Sequence, residues 1–259
     1  MIVDLHNHTP LCNHAEGTID EYIQHAVTCK TQVFGFSDHA PMPFDPEYRM
    51  KFSDMQQYEN DVKAAKERYK KEIKTVLGYE VDYLEGYMDE RVLQADVDYL
   101  IGSVHFIDKW GFDNPEFIGK YDEEDIDTLW EKYFFAIKKM AQSKLFDIVG
   151  HLDLIKVFKF MPKKDIKEIV KDALIAIKEA DMTIELNVAG YRKPVGEPYP
   201  SKELLEEIFA LGIPITFASD AHKPEQVGLY NQEIVSLAKS VGYSECAYYE
   251  KRVRKFLPL

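Results

Sequence analysis

Short apolar runs alternate with segments of helical period along most of the chain. Runs of this kind, bounded by polar residues or glycine, are typical of buried parallel strands. They lie at residues 2–5, 33–37, 74–80, 98–104, 146–150, 182–187 and 213–218. The segments with helical period lie at 18–30, 53–73, 122–142, 162–180, 201–211 and 224–240. This alternation predicts right-handed βαβ units, arranged as an open doubly wound sheet or as a closed barrel of the TIM type.

Several predicted helices carry start signals. Thr18 and Glu21 have the spacing of a capping box, in which each side chain bonds the other residue's backbone N–H. Ser53 and Ser201 precede two further helical segments, and Pro162 opens another. No linker, repeat or low-complexity tract divides the chain, so we expect one domain over residues 1–259.

The polar residues at the predicted strand ends distinguish the two architectures. Seven of the eight histidines lie at a strand end or in the loop that follows it, and only His25 falls inside a predicted helix, where we interpret it as structural. An open sheet gathers its ligands at one switch point, whereas a barrel gathers them from the C-terminal end of nearly every strand. The distribution therefore favours an α/β barrel.

These strand-end residues are also the ligand types of transition metals. Histidine, aspartate and glutamate bind zinc, iron and manganese. His6 and His8 are two residues apart, so they project the same way from an extended segment, and Asp4 continues that register as an expected acceptor for a ligand's ring N–H. The candidate ligands are His6, His8, His14, His39, Glu80, His105, His151, Asp220 and His222. Nine ligands are too many for one ion and indicate two or three.

The charge balance narrows the range of partners. With 32 basic and 45 acidic residues the net charge is −13, which argues against binding to nucleic acid or to an anionic membrane. No run approaches ~18 apolar residues, and the N-terminus does not resemble a signal peptide, so we expect a cytosolic protein. Cys12, Cys29 and Cys246 have neither zinc-site nor disulfide spacing and are expected to be reduced thiols.

Six motifs, in order along the chain, together resemble the PHP (polymerase and histidinol phosphatase) superfamily. They are His6-Asn7-His8, Ser37-Asp38-His39-Ala40, Gly78-Tyr79-Glu80, Gly102-Ser103-Val104-His105, Gly150-His151-Leu152-Asp153 and Ser219-Asp220-Ala221-His222. The resemblance implies a distorted barrel of seven β/α units with a trinuclear metal cluster at the C-terminal face of the strands. It implies one ion on His6, His8, Glu80 and Asp220, a second on Glu80, His105 and His151, and a third on His14, His39 and His222.

The chain length and the segments Asn7-His8-Thr9, Asp38-His39-Ala40-Pro41 and Arg192-Lys193-Pro194 further resemble the stand-alone histidinol-phosphate phosphatase branch. This resemblance implies hydrolysis of a small phosphate ester, L-histidinol phosphate, through hydroxide held between metal ions. We expect Glu80, Asp220 and His222 to be catalytic. A phosphotyrosyl protein, a nucleotide or a nucleic acid as substrate, and a non-catalytic metal-binding module, stay open as alternatives.

Recognition of the phosphate needs a cation in addition to the metal ions. Arg192 follows the sixth predicted strand, and its planar guanidinium has the geometry to hold two phosphate oxygens. Arg49, in the proline-rich loop 41–52, and Lys156 are further candidates. We interpret that loop as a lid that contacts the substrate.

Overall fold

The computed structural model describes residues 1–259 and contains eleven strands. In chain order they are β1 (Val3–Asp4), β2 (Val33–His39), β3 (Lys74–Asp82), β4 (Tyr99–Ser103), β5 (Phe106–Ile107), β6 (Trp110–Gly111), β7 (Ile148–Val149), β8 (Thr183–Asn187), β9 (Ile215–Ala218), β10 (Glu245–Glu250) and β11 (Val253–Pro258). Seven of them form one parallel sheet in the order β1-β2-β3-β4-β7-β8-β9. These are the seven strands that the apolar runs predict.

The sheet curls until its first and last strands meet. No regular ladder joins β1 to β9, but backbone hydrogen bonds run from Leu5 N to Phe217 O (3.0 Å), from Asp220 N to His6 O (2.7 Å) and from His8 N to Ala221 O (3.0 Å). The barrel is therefore nearly closed, and its seam lies beside the predicted metal ligands. The prediction of a distorted α/β barrel is confirmed.

Seven α-helices accompany the strands. They are α1 (Ile19–Thr28), α2 (Met55–Tyr69), α3 (Glu90–Leu93), α4 (Ile126–Ser143), α5 (Ile166–Glu179), α6 (Lys202–Ala210) and α7 (Asn231–Val241). The capping box of Thr18 and Glu21 forms, and Ser201 caps α6 through the N–H of Leu204. No helix combines the length and the apolar character that crossing a membrane requires.

Three helices begin four or more residues later than predicted. Helix α4 starts at Ile126 instead of 122, because the carboxylate of Asp125 provides its N-terminal cap. Helix α5 starts at Ile166 because the carboxylate of Asp165, not Pro162, provides the N-terminal cap. Helix α7 starts at Asn231 instead of 224, since Gly228 (φ 77°) and Tyr230 (φ 57°) adopt left-handed conformations that interrupt a right-handed helix.

The barrel interior contains one large side chain, that of Tyr99, packed among smaller apolar residues such as Val76 and Ile101. Tyr99 is fully buried, and its hydroxyl lies within hydrogen-bond distance of the carbonyls of Leu5 and Phe36. A Cβ atom at Gly35 or Gly78 would lie 2.2 Å or 2.6 Å from Tyr99, so glycine at these two strand positions makes room for its ring. The opposite face of β2 and β3 packs on the helices through Phe34, Phe36, Leu77 and Tyr79.

The C-terminal hairpin β10–β11 covers the end of the barrel where the strands begin. The Tyr249 hydroxyl contacts Thr183 Oγ1 (2.6 Å) and Asp147 O (3.0 Å), and Arg252 pairs with the Asp147 carboxylate. Lys251 N donates to the carboxylate of Asp98, immediately before β4. The sequence predicted no strands here, only that the segment closes the barrel. With this end covered, the C-terminal ends of the strands form the accessible face.

We expect Tyr249→Phe to lower the free energy of unfolding by about 1 to 2 kcal/mol, because the hydroxyl's two buried partners are left without it. Urea unfolding followed by circular dichroism measures the change. Tyr248→Phe is the matched control on the same strand, since the Tyr248 ring lies beside the exposed Lys74 and its hydroxyl binds neither Thr183 nor Asp147. Equal stability of the two variants would contradict an anchoring role for Tyr249.

Candidate metal centre

Glu80 lies at the centre of a cluster of histidines at the C-terminal ends of the strands. Its carboxylate is almost fully buried and lies 2.8 Å from His39 Nδ1, 3.0 Å from His151 Nε2, 3.3 Å from His6 Nε2 and 3.7 Å from His105 Nε2. Four different strands or strand ends supply these histidines. The barrel geometry thus brings residues from distant parts of the sequence around one carboxylate.

The predicted ligands form three groups whose ligand atoms lie within 4.8 Å of one another. The groups are His6, His8 and Glu80; Glu80, His105 and His151; and His14, His39 and His222. Their membership agrees with the three ligand sets that the family resemblance implies, except that Asp220 contacts the first group through His8 Nε2 at 3.2 Å. The first group is buried, whereas the third reaches solvent through His14.

Unpaired ligand atoms are further evidence that these residues suit metal ions. His6 Nε2 and Glu80 Oε2 are buried and make no hydrogen bond of normal geometry, although Glu80 Oε2 lies 2.8 Å from His39 Nδ1 and 3.3 Å from His6 Nε2. His14 Nε2 and His222 Nε2 lie 3.0 Å apart, a separation at which two ring nitrogens can share one ion. Buried polar atoms are nearly always satisfied, so these atoms indicate that an ion completes their bonding.

Carboxylates outside the ligand groups fix the histidine rings. Glu185 lies 3.0 Å from His6 Nδ1, Asp38 lies 3.3 Å from His8 Nδ1, and Asp82 lies 2.6 Å from His105 Nδ1. Such a carboxylate holds the ring so that the other nitrogen faces the ion. These roles were not predicted, although an acidic residue inside an apolar strand, such as Glu185, indicates a buried polar partner.

Asp4 does not have the role expected from its register. Its carboxylate accepts hydrogen bonds from Ser219 N (2.9 Å), Ser219 Oγ (2.6 Å) and Asn7 Nδ2 (3.1 Å), and it contacts no histidine. The reason is that β1 ends at Asp4 and the chain leaves regular strand geometry before His6. Asp4 instead supports the loop that carries Asp220.

The charges of the cluster suit metal binding. Burial alone would raise the pKa of Glu80, but His39 and His6 lower it well below its usual range. Burial lowers the pKa of His39 to about 4. Burial also opposes protonation of His105, but the charge of Asp82 raises its pKa to about 10. The cluster therefore combines an ionised carboxylate with a neutral imidazole, and His105 must release its proton to bind an ion.

Arg192 lies on the wall of a cavity of about 400 Å³ that contains the cluster. Its Nη2 donates to the backbone carbonyls of Ser219 (2.9 Å) and Asp220 (2.8 Å), while its buried Nη1 has no partner. Other lining residues include His14, His39, Glu80, His105, His151, Asp220 and His222. The predicted catalytic residues and the first candidate for phosphate binding thus share one cavity.

The other two candidate cations already have carboxylate partners, and their binding of phosphate stays a prediction. Arg49 binds Asp82 through Nη1 (2.6 Å) and Asp45 through Nε and Nη2. Lys156 is fully buried and contacts Asp153 (2.8 Å), Glu197 (2.9 Å) and the carbonyl of Pro198 (2.8 Å), outside the cluster's cavity. Arg49 therefore supports Asp82, and Lys156 lies in a buried ion-pair network away from the cluster's cavity.

Two residues outside the predicted ligand set also have defined positions. His25 is exposed on α1, in agreement with a structural role. Cys12 lies beside the cluster, where its Sγ and the ligand nitrogens of His8 and His222 lie within 4.8 Å of one another. Its thiol donates to the carbonyl of Thr9, and burial raises its pKa, so it is held as a neutral thiol.

A second cavity of about 390 Å³ opens from the first. His14, His39, His105 and Asp113 line both. Its other walls come from the loop 41–52, through Asp45, Tyr48 and Arg49, and from the segment after β5, through Phe106, Asn114, Pro115, Glu116 and Phe117. The loop predicted to contact substrate therefore borders the site.

The fold and the site together define a metal-binding α/β barrel in which histidines and carboxylates at the strand ends surround one cavity. The PHP domain family matches residues 4–189. The chain belongs to the PHP family.

Individual relatives extend the match over nearly the whole chain. A probable histidinol-phosphatase from Deinococcus radiodurans is 35% identical over 98% of each protein. A histidinol-phosphatase from Bacillus subtilis is 30% identical over 87% of this chain and 95% of its own. The crystal structure of histidinol phosphate phosphatase from Lactococcus lactis, complexed with zinc, L-histidinol and phosphate, has the same fold, with a TM-score of 0.80, 20% identity and 98% of each chain covered.

We expect Glu80→Gln to bind at least one metal ion fewer per chain, because the neutral amide cannot replace a carboxylate shared by two ligand groups. Elemental analysis after dialysis against zinc measures this directly. Glu67→Gln, at an exposed position on α2, is the control that changes the same functional group. Full zinc content in Glu80→Gln would contradict the assignment of Glu80 to two ligand groups.

Proposed function

We propose that this protein hydrolyses L-histidinol phosphate to L-histidinol and inorganic phosphate in a metal-dependent reaction. The observation that carries the proposal is the composition of one cavity, which is lined by members of all three metal-ligand groups and by an arginine with an unpaired N–H. The names of the two relatives at 35% and 30% identity support this substrate.

The ligand groups would hold two or three ions of zinc, iron or manganese. Such ions supply a nucleophile from water at neutral pH and neutralise charge on the phosphoryl group. Glu80 belongs to two of the groups, so it would help to hold two of the ions. Glu185, Asp38 and Asp82 keep the histidine rings oriented towards them.

Arg192 is the residue we assign to the substrate's phosphoryl oxygens. Its Nη2 is fixed by two backbone carbonyls, so the guanidinium plane has one defined orientation before substrate binds. Nη1 is then free to donate a charge-assisted hydrogen bond. The positive charge is fixed in advance, so little reorganisation accompanies binding.

The two remaining catalytic candidates differ in what they can do with a proton. Burial raises the pKa of Asp220, but His6 and His8 lower it well below its usual range, so this carboxylate is ionised. Burial lowers the pKa of His222 well below its usual range, so its imidazole is neutral. We assign Asp220 to ligand binding and proton acceptance, and His222 to ligand binding.

The charges that line the second cavity suit a leaving alcohol that carries positive charge. Its only arginine or lysine, Arg49, is neutralised by Asp82 and Asp45. The carboxylates of Asp113 and Glu116 form no ion pair or side-chain hydrogen bond. Histidinol carries an ammonium group and an imidazole, and carboxylates beside exposed aromatic rings favour such cations.

The aromatic rings are those of Tyr48 and Phe117, which are 39% and 48% exposed at the mouth of this cavity. We therefore assign the phosphate to the first cavity and the cationic part of histidinol to the second. Asp113 lines both and lies at the junction.

The activity is tested by phosphate release from L-histidinol phosphate, with a phosphotyrosyl peptide and an aryl phosphate measured in parallel. We expect rapid release from histidinol phosphate by the zinc-loaded protein and its loss after chelation, because the ligand groups hold the catalytic ions. Turnover of the peptide or the aryl phosphate alone would contradict the proposed substrate while leaving the metal chemistry in place.

Asp113→Asn tests how the alcohol is recognised. We expect about a tenfold loss of kcat/KM for histidinol phosphate, mainly through a higher KM, because a charge-assisted hydrogen bond becomes a neutral one. The aryl phosphate has no cation, so its kcat/KM should change little. Asp108→Asn, at an exposed position between β5 and β6, is the control. Equal losses for both substrates would show that Asp113 acts on the metal cluster and not on the alcohol.

A further inference from the structure

Tyr199 lies on the wall of the cavity that contains the metal ligands. Its side chain is 1% exposed, and it lines this cavity together with Glu80, His151, Arg192 and Asp220. Its ring meets the His151 ring edge to face, with 6.4 Å between the centroids. No motif in the sequence singled this residue out.

The Tyr199 hydroxyl has no hydrogen-bond partner, although it is buried. Buried hydroxyl groups are nearly always satisfied, because leaving one unpaired destabilises the folded state. In a residue that lines a binding cavity, such a hydroxyl indicates that a ligand atom supplies the missing partner.

The ring is held firmly enough to keep the hydroxyl in one position. Tyr199 N donates to Asn187 O (3.0 Å), and Asn187 N donates to Tyr199 O (2.7 Å). The Lys156 ammonium lies 5.3 Å from the ring centre, at cation–π distance. A Cβ atom at Gly190 would lie 3.1 Å from the ring edge, so the close fit there depends on glycine.

The chemistry of the hydroxyl selects a ligand with hydrogen-bond acceptors. Burial and the nearby charge of Asp153 raise the pKa of Tyr199, so the phenol keeps its proton and acts as a donor. The same cavity contains a second buried donor without a partner, Arg192 Nη1. Two unpaired donors beside clustered metal ligands match a tetrahedral oxyanion, whose oxygens accept bonds in several directions.

We propose that the Tyr199 hydroxyl donates a hydrogen bond to a phosphoryl oxygen of the substrate, next to the one that Arg192 binds. This proposal rests on the proposed phosphatase function and adds a substrate-binding residue to it. If so, the hydroxyl lowers the stability of the free protein, because it is unpaired there, and it gains its hydrogen-bond partner only when phosphate binds.

Tyr199→Phe removes the hydroxyl and keeps the ring, so it is the informative substitution. We expect kcat/KM for the phosphate ester to fall about tenfold to hundredfold, as is typical for a lost hydrogen bond to a charged group. The affinity of the zinc-loaded protein for inorganic phosphate, measured by isothermal titration calorimetry, should fall to a similar extent. The thermal unfolding midpoint should stay unchanged or rise.

Tyr22→Phe is the matched control, because the Tyr22 hydroxyl is also buried and unpaired but lies outside this cavity. It should leave kcat/KM and phosphate affinity unchanged. Unchanged phosphate affinity in Tyr199→Phe would overturn the proposal. So would a lower unfolding midpoint, which would indicate that the hydroxyl is bonded through water to Asp153, whose Oδ1 also lacks a direct partner.

The phosphate titration separates this proposal from the proposed reaction. If the unsubstituted protein binds inorganic phosphate but does not hydrolyse histidinol phosphate, the substrate assignment fails while the comparison of Tyr199→Phe with Tyr22→Phe still decides the role of Tyr199. If histidinol phosphate is hydrolysed and Tyr199→Phe binds phosphate normally, only the role of Tyr199 is rejected.

Discussion

The burial of the Glu80 carboxylate is the constraint on which the rest of the site depends. A carboxylate removed from water is unstable as an anion unless cations or hydrogen-bond donors surround it. Here the surroundings are four imidazole rings and no lysine or arginine, and we infer that metal ions complete the compensation. Glu185 and Asp82 bind the outer nitrogens of two of these rings, those of His6 and His105, and keep them turned towards Glu80. Arg49 in turn balances the charge of Asp82.

The barrel separates this strained, polar arrangement from the parts that stabilise the chain. At the end where the strands begin, the hairpin β10–β11 forms hydrogen bonds and ion pairs to residues beside three strands. Tyr99 and the apolar strand residues packed around it occupy the interior between that end and the cluster. The C-terminal ends of the strands are then free to carry residues chosen for chemistry, as is general for barrels of this type. Unpaired donors such as those of Tyr199 and Arg192 are tolerable there because the other end supplies stability.

The fold and the ligand set were predictable from the sequence for definite physical reasons. Parallel strands buried on both faces must be apolar, so each barrel strand was recognisable as an apolar run. Polar residues immediately after such strands lie at the barrel mouth. The missed features depend on partners far apart in sequence. Arg49 and Lys156 looked like free cations because nothing in their local sequence reveals Asp82 or Glu197 beside them. The unpaired state of the Tyr199 hydroxyl is likewise visible only in three dimensions.

The distribution of charge is consistent with a zwitterionic substrate. A protein with a net charge of −13 repels polyanions such as nucleic acids at long range. A phosphate dianion would be repelled too, unless it belonged to a molecule whose other groups are positive. Histidinol phosphate is such a molecule, because its ammonium and imidazole offset its phosphate. The protein's overall charge then disfavours larger anions. The metal ions and Arg192 attract the phosphate only at short range, and Asp113, between the two cavities, favours the orientation with the cationic groups outside the cluster.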